Sequence, residues 1–117
     1  MRTMISVLLF LLSTSAATSV EALKAGELYT FCKSKDGMIF NACKFYILGV
    51  VEGMRAAGSK PAGQQKFCMG YDVPASKMID AFIRMADKVW PKYPGDKELP
   101  AVASVSAAIT LAYPCFE

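Results

Sequence analysis

The chain has 117 residues, a formal net charge of +3, 54% hydrophobic residues, four cysteines and no histidine. That length holds one domain, and its lysines and arginines are spread along the chain rather than clustered, which argues against a nucleic-acid surface. The lack of histidine excludes Ser–His and Cys–His nucleophile pairs and histidine-bound metals.

Residues 1–22 read as a secretory leader. Met1-Arg2-Thr3 gives a short positive start, residues 4–12 form an apolar run broken only by Ser6, and small residues follow. Small side chains at −3 and −1 allow cleavage after Ala17 (Ser15, Ala17) or after Ala22 (Val20, Ala22). A membrane span needs roughly 17–25 apolar residues, about twice what this run offers. The expected product is an exported domain over residues 23–117 that keeps no membrane anchor once the leader is cut. It has about 95–100 residues, a size at which one modest core benefits from covalent staples.

Four segments of that domain carry helical periodicity. The first, residues 24–33, puts Leu28, Phe31 and Cys32 on one side. After a polar break at residues 33–37, residues 38–57 carry the strongest pattern. Ile39, Phe40, Cys43, Ile47, Val50, Val51 and Met54 recur at three- and four-residue steps. Asp36 is placed to cap this helix and favour its positive end. Gly49 and Gly53 share one of its faces, each at a cost of about 1 kcal/mol relative to Ala. Close packing of a neighbouring element is the expected reason, and a groove for a partner is the alternative.

Residues 59–65, containing Pro61 and Gly63, form a loop that leads through Cys68 to Pro74. Pro74 opens a third helix at its first turn, running to about Trp90. Ile79, Phe82, Ile83, Ala86, Val89 and Trp90 make its inner stripe, while Asp80 and Arg84 face outward. Pro91 and Pro94 stop it, and residues 91–99 are expected to be loop. The fourth helix, from about Pro100 to Tyr113, turns mostly small residues inward: Ala101, Val102, Val105, Ala108, Ile109 and Ala112. The fold class is all-α, a compact bundle of about four helices with short connections and therefore antiparallel neighbours.

Cys32, Cys43, Cys68 and Cys115 read as two disulfides, since an exported short chain with an even cysteine count favours them over a zinc site and no C-x-x-C pair is present. Three pairings are open. Loop closure gives about 3 kcal/mol for Cys32–Cys43 and about 4 for Cys68–Cys115, and the other pairings close loops of similar worth. Helix placement favours Cys32–Cys43 across a tight hairpin and Cys68–Cys115 at one end of an antiparallel pair.

No catalytic, cofactor-binding or metal-binding set emerges: there is no Gly-rich phosphate loop, and the carboxylates are scattered. Glu52, between Gly49 and Gly53, is the most unusual of them. It is expected to be an exposed carboxylate at the edge of the apolar stripe rather than a buried acid.

These residues fall in an ordered pattern: Ala25-Gly26-Glu27-Leu28-Tyr29 before Cys32, then Ala42-Cys43, Tyr46-Ile47, Gly49-Val50-Val51-Glu52-Gly53, Cys68, Tyr93-Pro94, an alanine-rich helix, and Tyr113-Pro114-Cys115. The pattern resembles the Rap/Tai immunity family of small periplasmic proteins, which protect bacteria from type VI secreted peptidoglycan amidases. The resemblance implies an all-helical, non-enzymatic periplasmic protein that blocks an effector's active-site cleft by direct binding, often as a homodimer. The chain departs from it in lacking an early proline after Cys68, in carrying Glu52 where aspartate is common, and in having no histidine after Tyr93-Pro94.

On this reading the contact surface comes from residues 59–65 and 91–99 and their flanking aromatics. Lys60, Gln64, Gln65, Phe67, Trp90 and Tyr93 are the partner-binding candidates, with core packing as the alternative for each aromatic. The competing functions are a small periplasmic acid-stress chaperone, which two staples would restrain from opening, and an envelope interaction module.

Overall fold

The structure is a computed structural model, and it describes residues 22–57 and 67–115. Residues 1–21 of the expected leader and all of the first candidate loop, residues 59–65, therefore lie outside the described residues. Within them the chain forms α1 (Ala25–Cys32), α2 (Gly37–Ala57), α3 (Ala75–Val89) and α4 (Ala101–Ala112), with a 3-10 turn over Pro94–Glu98. Every helix packs against each of the other three, which makes the molecule the helical bundle that the periodicity predicts.

Local chemistry explains the helix starts. The Asp36 carboxylate accepts from the Met38 N–H at 2.9 Å and the Ile39 N–H at 3.3 Å, satisfying two of the donors that a helix N-terminus leaves open. The Lys24 N–H donates to Glu27 Oε1 at 3.4 Å, a long bond that reaches back over the first turn of α1. Pro74 sits one position earlier than expected, as the extended residue that precedes α3. The chain segments entering α1 and α4 run antiparallel and bridge once. Ala25 N–H donates to Leu99 O at 2.8 Å, and Ala101 N–H donates to Leu23 O at 2.7 Å. The two helices thus start from one fixed corner, and their first residues, Ala25 and Ala101, are fully buried.

The core is built from one stripe of each helix. Leu28 comes from α1, Cys43, Ile47 and Val51 from α2, Phe82 from α3, and Val105 and Ile109 from α4, all fully buried. The stripes are narrower than expected. Phe31, Phe40, Val50, Met54, Ile83 and Val89 are only half-buried, and Ile39, Val102 and Ala112 are exposed. A helix held on one side by three neighbours buries positions four apart and leaves the stripe's flanks in water. Residues 91–99 are more ordered than a loop: Asp96 N–H donates to Tyr93 O and Leu99 N–H to Asp96 O, closing the short turn.

Cys32 bonds to Cys43 and Cys68 to Cys115, with Cα–Cα distances of 5.0 and 4.9 Å. The first staple is buried and ties α1 to α2. The second joins the segment before α3 to the segment after α4, beside a bond from Cys68 N–H to Tyr113 O at 2.7 Å.

Candidate partner-binding surfaces

The structure separates the candidate aromatics. Trp90 is 7% exposed; its ring lies 5.2 Å from that of Tyr29 and meets the edge of Phe82 at 6.3 Å. Packing wins over anchoring for this residue, because its position continues the Phe82–Ala86 stripe by one more turn. Tyr93, beyond Pro91, falls off that stripe and is 62% exposed. Phe67 is half-buried against the core. Phe67 precedes α3 and Tyr93 follows it, so roughly 20 Å of helix lies between them and they do not form one patch. Lys60, Gln64 and Gln65 lie outside the described residues.

Beneath Trp90, the Tyr29 hydroxyl donates to Asp87 Oδ1 at 2.6 Å. That bond first, then burial and the nearby negative charge, raise the Tyr29 pKa above its ordinary value. Lys97 Nζ sits 5.9 Å from the centre of the Trp90 ring, and Lys33 Nζ 6.0 Å from that of Tyr29. The 3-10 turn is thereby drawn onto the aromatic pair, which fixes the place from which Tyr93 projects.

Arg55 does similar work at the far end of α2, and nothing in the sequence marked it. Its side chain is 14% exposed, and its Nη1 meets Glu52 Oε1 at 3.0 Å. Its Nη2 donates to Gly70 O at 3.1 Å, and its guanidinium carbon lies 4.4 Å over the Tyr71 ring. The partners are 15 and 16 residues away in sequence, too distant for any helical spacing rule to reveal. Glu52 is exposed, as expected, and serves this pair.

The outward face of α2 carries the largest surprise. Met38 and Phe45 are 85% and 65% exposed, and Ala42, Gly49, Glu52, Gly53 and Ala56 are exposed with them. Positions 38, 42, 45, 49, 52 and 56 alternate four- and three-residue steps, the spacing of a coiled-coil seam. A methyl group added at Gly49 or Gly53 would meet nothing within 4 Å. Among the described residues no other element closely approaches the two glycines, which lie on an exposed, largely apolar strip interrupted by Glu52.

Among the described residues no three histidine, cysteine, aspartate or glutamate side chains gather into a possible metal site, and no helix is long and apolar enough to cross a membrane. What the surface offers is shape and apolar area, held on a stapled frame. No curated protein and no solved structure matches the chain. The family model described as Rap1a immunity proteins matches residues 24–115, a span that takes in all four helices and both disulfides. The chain belongs to the Rap1a immunity protein family.

Proposed function

We propose that this protein is exported to the periplasm and neutralises a type VI secreted peptidoglycan amidase by binding over its active-site cleft. The observation that carries the reading is the family match over residues 24–115. The physical design agrees with it. A binder loses less conformational entropy on association when its surface is pre-organised, and here two disulfides and the aromatic pair beneath the 3-10 turn hold the frame. Tyr93, fixed at its base and exposed at its ring, is the anchor we assign to the cleft. Phe67, which precedes α3, is the second contact we assign, and Lys60, Gln64 and Gln65, outside the described residues, are assigned to it by their nearness in sequence alone.

We assign a second copy of the chain to the open strip on α2. In an antiparallel two-fold pair centred between residues 45 and 49, Phe45 of each helix faces Gly49 of the other, and Met38 faces Ala56. In this arrangement the two bulkiest apolar side chains, Met38 and Phe45, each meet a small residue of the neighbour, while Glu52, paired with Arg55 of its own chain, lies opposite Ala42.

Titrating the oxidised mature protein against the type VI secreted peptidoglycan amidases of the same organism tests the main reading. Stoichiometric loss of muropeptide release is the expected outcome. Full amidase activity in the presence of excess protein would overturn it.

A further inference from the structure

A groove of about 580 Å³ runs between α3 and α4, and it shares no lining residue with the Tyr29–Trp90 pair or with the α2 strip. Small side chains line it from both helices, Ala81 from α3 and Ala108 and Ala112 from α4, together with Met85. The two lips differ in kind. On α3, Lys77, Arg84 and Lys88 stand at steps of seven and four residues along the rim, all exposed, with Asp80 as the one carboxylate. The α4 lip has no charge, since no residue of Ala101–Ala112 is ionisable. Instead it presents Leu111, which is 71% exposed. None of the three cations forms an ion pair with a described residue, and Arg84 does not engage Asp80.

We propose that this groove docks an acidic amphipathic helix of a protein partner. The cationic rim from Lys77 to Lys88 spans about 16 Å, three turns of helix. A helix laid along it sets an apolar stripe on Ala81, Ala108 and Leu111 and an acidic edge against the three cations. Such helix-in-groove docking reads anchors at three- and four-residue steps, and the uncharged α4 lip accepts the apolar side without burying a charge. A peptide added as a strand has no sheet edge to extend among the described residues. A flat anionic bilayer meets the exposed cations but not Ala108, which is 1% exposed. The inference rests on the reading that the chain works by binding a protein, and it adds the chemistry of the partner's second contact.

The test uses the oxidised mature protein and three probes: a designed helical peptide with a leucine stripe and a glutamate edge, the same peptide with lysine for glutamate, and phosphatidylglycerol vesicles. Fluorescence anisotropy and amide shift mapping are the readouts. The glutamate peptide is expected to bind at least about tenfold tighter than the lysine peptide, to weaken with added salt, and to shift amides of α3 and α4. The Lys77→Glu/Arg84→Glu/Lys88→Glu variant, altered only at exposed sites, should lose that preference with an unchanged helical spectrum. Leu111→Ala should weaken both peptides alike. Equal binding of the two peptides, shifts outside α3 and α4, or vesicle binding abolished by the triple variant would each overturn the proposal. So would full protection against the effector by the triple variant while wild type also protects. If wild type fails to protect but the peptide results hold, the immunity reading falls and the groove assignment stands.

Discussion

Tyr29 shows how a single side chain links core and surface. Its ring supports Trp90 while its hydroxyl holds Asp87 on α3. Because the folded state raises its pKa, the bond stabilises the protein fully below the unfolded value of about 10, and the contribution fades as pH climbs through the folded value. Tyr29→Phe should therefore cost about 1 kcal/mol near neutral pH. Urea melts of the pair at rising pH should show that difference shrinking above about pH 10, with Asp87→Asn abolishing the trend. Trp90 was legible at this scale: its spacing from Phe82 and Ala86 already placed it on the inner stripe, and its promise as an anchor came only from residue type. Arg55 was not legible, because its partners Gly70 and Tyr71 are brought to it by the fold.

Among the elements, the helices could be read from apolar period and prolines, and cysteine placement near helix ends favoured the observed disulfides where loop closure left three pairings open. The outward strip of α2 could not. A helix that is apolar on two faces gives a broad stripe whose inner part cannot be separated from its outer part by periodicity alone. With open space around both glycines, Gly49→Ala and Gly53→Ala should each stabilise the monomer by about 0.5–1 kcal/mol. If the strip carries the second copy, Gly49→Ala should also raise the dissociation constant of the dimer in sedimentation equilibrium. The staples should differ as well. Cys68 is exposed and Cys115 half-buried, whereas Cys32 and Cys43 are buried. Graded reduction followed by alkylation and peptide mapping should find Cys68–Cys115 opened first, at a cost of about 4 kcal/mol for a link spanning 47 residues.

For the whole molecule, the order of cysteines, glycines and aromatics carries the family resemblance in the sequence itself, and the stapled helical frame goes with it. The binding surface did not, since it depends on which apolar residues the bundle leaves over, and those are set by packing. Phe82, at the centre, marks what the frame rests on: Phe82→Ala should cost about 3–5 kcal/mol in denaturant melts, far more than any change on the exposed strip. The central claim, that the domain acts by protecting the periplasm from an amidase, is tested most directly by co-expression. A type VI amidase effector of the same organism is directed to the periplasm together with either the full chain of residues 1–117 or residues 23–117 kept inside the cell. Cells are expected to survive with the full chain and to lyse with the unexported one. Lysis with both, and no complex between the purified proteins, would contradict it.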